Sequence, residues 1–507
     1  LGRFDMAQQL QSINLVAPGF KGVNTEDSPL AQDPSFAEIA DNAVIDKRGR
    51  IAARKGHSVI TTNKTALGSA SIRVVHEFQK NTGSNAILST GNNKIFTGTT
   101  TLTDATPGSY TISADNWKIV NFNNNAYLFQ AGHNPLIYDG SSVALLSSVS
   151  GSGGIVQGNE VLAAYGRLFV TGLSSAPSTI YWSDLLQGHA YTGGSSGNID
   201  ISTVWPDGYD EIVALAAHNN ALIIFGQHSI VVYSGATAPA SMTLADTVAG
   251  IGCVDRDTVQ YTGTDVLFLS HTGLKSFGRT IQEKSLPISS LSNNITKDII
   301  AALQNETQFF RSAYSPEEGF YLLTFVGQDV TYCFDVRGTL ENGSYRTTRW
   351  PSTGFTAYAR LENGDLQIGT SNGISKYEGF QDNNLGYRFR YYSPSLTFGD
   401  SSRIKILKKL KPTLVGANNS VVFMKWAYDF DTTYATSEFT VGTQITGSFG
   451  ESEYTAVEFT GGQLTNQRSI NTTGYGTSVQ VGLESEIDGS PLSLQEINVM
   501  ALIGKLL

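Results

Sequence analysis

The chain has 507 residues, of which 52 are glycine and only 15% are charged, and its formal net charge is −10. A net acidic chain is repelled by polyphosphate, so these totals disfavour a nucleic-acid-binding protein. The two cysteines, Cys253 and Cys333, are too far apart for a disulfide framework or a paired-cysteine zinc site, and we expect two free thiols. No stretch reaches the roughly 20 apolar residues that cross a bilayer, so we expect a soluble chain with no membrane segment.

Residues 1–60 are expected to form an extended arm that ends in a β-hairpin. The stretch "APGFKGVNTEDSPLAQDPSFAEIADN" is punctuated by proline, and we expect a short helical stretch around Phe36 to Ala40. In "NAVIDKRGRIAARKG", an apolar strand leads to a charged turn and a second strand returns. Gly49 can supply the positive φ that such a turn needs, and Gly56 ends the return strand.

One unit recurs through the middle of the chain. In "VNFNNNAYLFQAGHNPLIYDG" a strand, an Asn-rich turn, a strand, a second turn and a third strand follow one another, and "LAAHNNALIIFGQHSIVVYSG" repeats the order. A four-stranded propeller blade takes roughly 40–50 residues, and stacking such units in a ring leaves no long open edge. We therefore predict an all-β fold with a β-propeller of about seven blades over residues 61–380. The aromatic residues that end the seven units are Phe96, Tyr138, Trp182, Tyr233, Phe277, Phe334 and Tyr377.

Two departures from this rhythm define the remaining elements. In "SSLSNNITKDIIAALQ" the apolar residues are spaced for one face of a helix, which predicts a short helical insertion near 292–304 with Asn293 or Asn294 as its N-cap. After residue 380, "TSVQVGLESEI" and "PLSLQEINVMAL" alternate with period two, which indicates antiparallel sheet with one face covered. Residues 381–507 should form a β-sandwich-like domain.

Patterns typical of catalysis or metal binding are weak. The "GGSSG" around Ser195 has the form of a nucleophile elbow, but it lies in a Gly/Ser loop rather than between a strand and a helix. Asp429 and Asp431 share a strand face, yet calcium would need several more oxygen ligands. We expect no catalytic residue, no cofactor and no metal site.

Four carboxylates lie at corresponding ends of the repeated units: Asp139, Asp184, Asp335 and Glu378. Some propellers are glycosidases whose paired carboxylates project into the central channel, and turns also favour Asp beside Gly. The turn role is favoured, but the sequence does not show which carboxylates converge. A carbohydrate-binding or glycan-degrading propeller tail protein therefore remains the alternative function.

Basic residues concentrate in two runs, "KRGRIAARK" in the hairpin and "SSRIKILKKLKP" at 401–412. As a strand, the second run points Arg403 and Lys405 away from Ile404 and Ile406, and the alternation slips near Lys408. A charged solvent face or a subunit contact is favoured over DNA binding for this run.

The order of features at the two ends of the chain resembles the tail nozzle proteins of short-tailed bacteriophages, also called tubular tail protein B or tail accessory/stabilisation proteins. The N-terminal match consists of a Gly-Val pair, Ser-Pro, "N-x-x-x-D", a glycine, an apolar residue and "R-x-G". Towards the C-terminus, "LTFGDSSRIKILKKLKPTLVGANNSVVFMKWAYDF" is similar to that family, which commonly has "L-x-F/L-G" before a Lys/Arg-rich strand. At 507 residues the chain is compact for the family, so we expect some distal loops or receptor-binding insertions to be missing. The matching N-terminal residues are Gly22, Val23, Ser28, Pro29, Asn42, Asp46, Gly49, Ile51, Arg54 and Gly56.

The resemblance implies a non-enzymatic virion part, assembled in the host cytoplasm. Such nozzles form a hexameric ring below the portal and adaptor, continue the DNA channel for genome ejection, and hold fibres, spikes, a needle or a plug. The viral DNA would pass without specific binding, which agrees with the acidic net charge.

Under this reading the cations of the two runs are docking residues. We expect an interface with an adjacent protomer or the adaptor, and the alternative is a solvated hairpin end. The other readings are a receptor-binding tail fibre or baseplate component, which would be trimeric, and a cellular scaffold propeller, which would be monomeric. The expected interface residues are Arg48, Arg54, Lys55, Lys405 and Lys409.

Overall fold

In the computed structural model, the described residues are 9–17, 19–83, 85–283, 290–442 and 465–506. Five short strands belong to the N-terminal arm. They are β1 (Gln9–Leu15), β2 (Ile39–Asp41), β3 (Ala43–Ile45), β4 (Ile51–Ala53) and β5 (His57–Val59). The prediction of a helical stretch around Phe36 to Ala40 is wrong. Strand β2 begins at Ile39, because the backbone there pairs with the strand Tyr387–Tyr392.

Seven sheets follow one another along the middle of the chain. Blades 1 to 4 each have four antiparallel strands in simple up-and-down order, and the fifth sheet has three. Their strands are β6 (Val74–Phe78), β7 (Ala86–Gly91), β8 (Lys94–Thr97), β9 (Thr103–Asp104); β10 (Lys118–Phe122), β11 (Asn125–Phe129), β12 (Leu136–Tyr138), β13 (Val143–Leu145); β14 (Glu160–Ala164), β15 (Arg167–Thr171), β16 (Thr179–Trp182), β17 (Gly197–Asp200); β18 (Ile212–His218), β19 (Ala221–Gly226), β20 (Ile230–Ser234), β21 (Thr243–Val248); β22 (Gln260–Tyr261), β23 (Val266–Ser270) and β24 (Gly273–Ser276).

Blades 6 and 7 complete the ring. Blade 7 takes its fourth strand from the arm, since β5 pairs with its third strand. The first strand of blade 7 lies against β6 of blade 1, so the ring is closed. The strands are β25 (Phe310–Ser315), β26 (Phe320–Phe325), β27 (Val330–Thr339), β28 (Tyr345–Pro351); and β29 (Ala357–Arg360), β30 (Leu366–Thr370) and β31 (Gly373–Tyr377).

The prediction of an all-β propeller is confirmed, with a correction to the count of about seven blades. Among the described residues, six blades are four-stranded and the fifth unit is a reduced, three-stranded sheet. After β24 the chain turns into helix α1 (Phe277–Glu283) instead of a fourth strand. Ser276 starts that helix, because its Oγ accepts the backbone N–H of Arg279 at 3.2 Å. Six of the seven aromatic residues that marked the units lie in third strands, while Phe277 begins α1.

The helix predicted near 292–304 is present as a 3-10 turn at Asn293–Ile295 followed by α2 (Thr296–Asn305). It lies between the fifth and sixth sheets, as expected. The expected asparagine cap is wrong: Ile295 occupies the N-cap, and the carboxylate of Glu26 in the arm accepts the backbone N–H of Lys297 in the first turn. The Asn294 carboxamide instead accepts a hydrogen bond from Asn342 at 2.8 Å, because the turn packs against the β27–β28 connection.

The C-terminal residues form two facing sheets that share one large core. In the first sheet, blade 6 continues through β2 into the C-terminal strands, so nine strands run in the order β25-β26-β27-β28-β2-β32-β38-β34-β35. The second sheet has the order β3-β4-β39-β33-β36, with β1 on β39 and β37 on β33. The strands are β32 (Tyr387–Tyr392), β33 (Arg403–Gly416), β34 (Val421–Tyr428), β35 (Ala435–Thr440), β36 (Thr465–Gln467), β37 (Ile470–Asn471), β38 (Val479–Ile487) and β39 (Leu492–Leu506).

Burial of apolar side chains joins these parts into one body. Smaller cores lie between neighbouring blades, and the largest core fills the sandwich and reaches blades 5 and 6. The division into residues 1–60, 61–380 and 381–507 stays a prediction, and the sheets cross both boundaries. The arm is the connector, because its five strands enter both sandwich sheets and the last blade.

Candidate interface and axial site

The hairpin turn between β3 and β4 is built by one carboxylate and one glycine. Asp46 Oδ1 accepts the backbone N–H groups of Arg48 at 2.8 Å and Arg50 at 3.0 Å. Gly49 has a φ of 78°, a conformation that side chains rarely adopt, and its N–H donates to the Asp46 carbonyl. The turn therefore holds Arg48 at the outer end of the hairpin.

Four cations of the two basic runs are exposed: Lys47 and Arg48 on the hairpin, and Lys408 and Lys409 on β33. Within the described residues, none of the four makes an ion pair. Of the two runs, these are the exposed cations without an ion-pair partner among the described residues.

Arg54 is not one of them, and its expected interface role is corrected. It is 1% exposed, and its guanidinium makes a forked contact with Asp382, at 2.8 Å and 2.6 Å. Its Nε donates to Asn42 Oδ1 at 3.0 Å, and it stacks over the ring of Tyr387 at 4.2 Å from the centroid. The side chain is buried because its partners come from the arm, the linker after blade 7 and β32.

The charge on Asp382 is set by this contact. Burial alone would raise the pKa of the Asp382 carboxyl, but hydrogen bonds from Arg54 and His57 hold the pKa at about 2. The carboxylate is therefore ionised at any ordinary pH and neutralises the buried guanidinium.

Lys405 is also corrected. It is 0% exposed, and its ammonium donates to the backbone carbonyl of Thr477 at 2.7 Å and to that of Asp400. A bulge in β33 between Arg403 and Lys405 turns this side chain inward. Lys55 is intermediate: its side chain is 42% exposed, but it forms an ion pair with Glu318 of blade 6 at 2.5 Å.

Gly56 has a role other than the predicted turn. Its φ is not positive; instead, a Cβ at this position would lie 1.9 Å from the carbonyl oxygen of Gln381. Its backbone pairs with Gly379 and Glu378. Glycine is required here because two backbones touch where the arm meets the end of blade 7.

The four carboxylates at the ends of the repeated units do not converge. Asp139 Oδ1 accepts the N–H groups of Ser141 and Ser142, within its own turn. Asp184 Oδ1 accepts the N–H of Ser195 at 2.9 Å and its hydroxyl at 2.7 Å, so the "GGSSG" loop is held as a turn. The other two are engaged by cations of their own sheets, Asp335 with Arg337 and Arg346, and Glu378 with Lys376.

The carboxylates of the possible calcium pair are likewise engaged by backbone N–H groups. Asp429 Oδ1 accepts the N–H groups of Thr477 and Ser478, and Asp431 Oδ1 accepts the N–H of Thr433. Across the part of the chain that the structure describes, no cluster of three or more metal-ligating side chains occurs.

A charged cluster that sequence reasoning missed lies where the first strands of the blades meet at the propeller axis. Asp257 Oδ2 accepts from Arg311 at 2.9 Å, and its carboxylate is 3.6 Å from the Lys118 ammonium and 3.7 Å from Arg256. The carboxylate of Glu160 lies 3.9 Å from the same Lys118. We call Lys118, Glu160, Arg256, Asp257 and Arg311 the axial cluster.

The pKa values of the acidic residues near the axis shift in opposite directions. Burial raises the pKa of Glu160, which is 3% exposed, to about 7. Burial also raises the pKa of Asp255, and the Asp257 charge adds to this rise. For Asp257 burial would raise the pKa, but Arg256, Arg311 and Lys118 together lower it below the usual range. Asp257 is therefore the fixed anion of the cluster.

Two amides tie the axial arginines to blades that are not their neighbours in the ring. Arg256 Nη1 donates to Asn159 Oδ1 at 3.0 Å, and Arg311 Nη2 donates to Asn116 Oδ1 at 2.9 Å. A sequence signal existed in the alternating charges of "VDRDT" (254–258), which precede the short strand β22. Their partners, however, lie in three other blades and have no fixed spacing along the chain.

Beside this cluster, a cavity of 910 Å³ opens at one face of the propeller. Its walls come from the segments that precede the first strands of blades 2 to 5, with turns between second and third strands. Asn116, Asn159 and Arg256 are shared between the cavity and the axial contacts.

Comparisons with known proteins assign no family to the chain. No protein-family profile and no curated protein matches the chain. It is similar to the extracellular domain of a protein described as a one-component system of B. thetaiotaomicron, at 10% identity over 77% of this chain and 48% of that chain, with a TM-score of 0.41. The chain thus spans about half the length of that neighbour.

Two further solved structures are similar to a smaller share of this chain. Hsv2 of Kluyveromyces lactis is 9% identical over 56% of this chain and 100% of that chain, with a TM-score of 0.31. The Pan2 WD40 domain of Neurospora crassa is 9% identical over 67% of this chain and 88% of that chain, also with a TM-score of 0.31. At these scores none of the likenesses carries an argument about function, and the strand pairing itself establishes the fold. Among the described residues, no helix is long and apolar enough to cross a membrane.

Proposed function

We propose that this chain is a structural virion protein, the nozzle of a short phage tail. Six copies would form a ring below the portal and adaptor, continue the DNA channel during genome ejection, and attach fibres, spikes, a needle or a plug. The observation that carries the proposal is the order of motifs along the whole chain: the arm with its "R-x-G" hairpin, the propeller, and the Lys/Arg-rich strand after "LTFG".

The positions of the matching residues support this reading. Gly22 has a φ of 93° and its Cα lies against the backbone of Thr347, while Asn42 accepts from the buried Arg54. Gly56 permits the contact with Gln381. These residues hold the arm against the propeller and the sandwich, which agrees with an arm that has a structural role in the proposed nozzle.

The DNA path in this proposal lies between protomers. The axis of a single propeller is occupied by the axial cluster, in which Asp257 is held by Arg311 at 2.9 Å. A duplex would therefore pass along a surface that several copies share. The net charge of −10 suits that surface, because an acidic lining repels phosphate and avoids sticking.

The docking surface in this proposal is the exposed part of the two basic runs. Lys47 and Arg48 project from the hairpin, and Lys408 and Lys409 from β33 of the same sheet. An acidic edge of the adjacent protomer or of the adaptor is the expected partner, since unpaired surface cations increase the association rate with an opposite charge.

No catalytic role is proposed for the axial acids. Asp257 is engaged by three cations, and Glu160 is 3% exposed beside Lys118. A glycosidase needs one free acid and one free carboxylate on either side of a scissile bond. The arrangement instead suits a strut that joins the first strands of several blades.

Negative-stain imaging of the full chain at low ionic strength tests the proposal. The expected result is a six-fold ring whose central opening admits duplex DNA. Should the purified chain stay monomeric, it is imaged again after mixing with the portal and adaptor of the same virus, where the ring is then expected. A three-fold assembly, or a monomer under both conditions, would overturn the nozzle.

A further inference from the structure

The cavity beside the axial cluster has the features of a binding site that the nozzle does not use. Its volume of 910 Å³ lies at the upper end of the roughly 300–1,000 Å³ typical of ligand pockets. Backbone and side chains from four neighbouring sheets converge on it, so its shape is fixed by the ring rather than by one loop.

Several polar atoms in the cavity wall have spare hydrogen-bonding capacity. The carboxamide oxygens of Asn116 and Asn159 accept from Arg311 and Arg256, but within the described residues their amide nitrogens donate to no group. The Tyr181 hydroxyl likewise has no hydrogen-bond partner among the described residues, although the side chain is only half-buried.

The floor supplies a third observation. Arg256 is 3% exposed, and its buried Nε has no hydrogen-bond acceptor; the nearest carboxylate, that of Asp257, is 3.7 Å away. This nitrogen is fully buried and faces Asp257, so the charge of the guanidinium, rather than this N–H group, is what the cavity floor presents to a ligand. The donors that the wall offers to a ligand are therefore the amide groups of Asn116 and Asn159, which the two arginines hold in place.

The charge of the cavity excludes highly anionic ligands. Arg256 is the cation of the lining, and it is already neutralised by Asp257. Glu211 and Asp255 also line the cavity, so its net charge is negative when both are ionised. A polyphosphate would therefore be repelled, whereas a neutral ligand pays no such cost.

We propose that this cavity binds a short neutral oligosaccharide. Sugar hydroxyls donate and accept at once, which matches the amide donors of Asn116 and Asn159 and the acceptors of Glu211 and Gln227. The Tyr181 ring and the side chains of Ile155, Val156 and Leu173 provide apolar surface for the C–H faces of sugar rings. The inference does not rest on the proposed function, because it concerns one protomer.

The experiment is an isothermal titration of the full chain with neutral trisaccharides of glucose, galactose, mannose and N-acetylglucosamine. A uronate trisaccharide and tripolyphosphate serve as anionic probes. At least one neutral trisaccharide should bind at millimolar concentration or below and stay intact afterwards, while the anionic probes should bind more weakly.

Two variants locate the binding. Asn159→Asp keeps the oxygen that accepts from Arg256 and removes the amide donor, and Tyr181→Ala removes the ring; each should weaken binding about tenfold, the effect of one lost hydrogen bond or ring contact. Asn372→Ala, in the exposed β30–β31 turn, is the matched control and should bind as the parent does. Melting temperatures verify that each variant folds; Tyr181→Leu, which removes the planar ring but keeps an apolar side chain, replaces Tyr181→Ala if that variant does not fold, and Asn116→Asp replaces Asn159→Asp.

The proposal is overturned by any of three results. They are no binding of a neutral trisaccharide at millimolar concentration, tighter binding of the uronate or tripolyphosphate, and binding that the cavity variants leave unchanged. None of these results bears on ring formation, which imaging tests separately.

Discussion

Arg54 and Asp382 lie 328 residues apart in the chain and form a forked ion pair, with nitrogen-to-oxygen distances of 2.8 Å and 2.6 Å. Arg54 directly follows the return strand β4 of the hairpin, and Asp382 lies in the linker between the last blade and the sandwich. The pair therefore fastens the arm at the joint of the two larger units. Its planar geometry is one that lysine cannot reproduce.

Loss of Arg54 should destabilise the whole chain. Arg54→Ala leaves the Asp382 carboxylate without its main partner, and breaking a buried pair costs about 3–5 kcal/mol of unfolding free energy. Arg54→Lys should lose part of this unfolding free energy, since an ammonium group cannot form the two parallel hydrogen bonds that the guanidinium makes with Asp382. Urea unfolding measures the change, and the exposed Arg48→Ala serves as control with an expected change within about 0.5 kcal/mol. An Arg54→Ala variant as stable as the control would contradict the role of the joint.

Stability should fall as pH rises through the range in which Glu160 titrates. Its pKa is raised by burial from 4.5 to about 7, so the folded state holds this proton while the unfolded state has already released it. The favourable contribution is full below about pH 4.5 and lost by about pH 7, amounting to at most about 3 kcal/mol. Unfolding free energies at several pH values measure this slope.

Glu160→Gln is the variant that isolates the effect, because an amide does not titrate. The difference in unfolding free energy between the parent chain and Glu160→Gln should shift with pH between about 4.5 and 7, in favour of the parent at the acid end. A pH-independent difference would show that Glu160 ionises normally in the folded protein.

Gly56→Ala should prevent correct docking of the arm. The added Cβ would lie 1.9 Å from the Gln381 carbonyl oxygen, so one of the two backbones must move. Gly108→Ala is a matched control: nothing lies within 4 Å of a Cβ there, and its φ is not positive. Thermal melts should show a large loss for the first and little change or a slight gain for the second. Equal melting temperatures for Gly56→Ala and Gly108→Ala would contradict the claim that the backbones of Gly56 and Gln381 are in close contact.

Charge reversal at Arg48 and Lys409 should weaken ring assembly at low ionic strength. Both side chains are exposed and unpaired within the described residues, so Glu at these positions would repel an acidic partner without disturbing the fold. Sedimentation velocity at two salt concentrations measures the effect, which should shrink at high salt. Lys297→Glu, on the exposed face of α2, is the control. Assembly that all three variants leave intact would exclude the basic runs as an interface.

Local sequence patterns predicted the structure correctly where residues that are close in the chain are also close in space. Tyr138, Tyr233 and Tyr377 mark third strands because a meander of short strands repeats its own spacing. The turn at Gly49 follows for the same reason, since a hairpin closes within a few residues. The missing fourth strand of blade 5 was not predictable in this way. Serine also occurs in strands and turns, and the sequence does not show that the Ser276 hydroxyl accepts the N–H of Arg279 and so caps a helix.

The sequence did not allow us to predict which charged side chains are buried. Arg48 and Arg54 belong to one basic run, yet Arg48 is exposed and Arg54 is only 1% exposed. Arg54 is buried because Asp382, which is distant in the chain, pairs with its guanidinium. Lys405 and Lys409 differ likewise, because a bulge rotates β33 between them.

Period, turn chemistry and composition were enough to predict a ring of short antiparallel sheets, since the strands of one blade pair within some tens of residues. The C-terminal alternation predicted a sandwich, but its two sheets also contain the arm strands β1 to β4, which lie hundreds of residues away in the chain. Only the tertiary structure decided which cations are buried, how the arm closes blade 7, and which acids meet at the axis. Those outcomes depend on pairs hundreds of residues apart, such as β5 with β31, for which no local spacing exists.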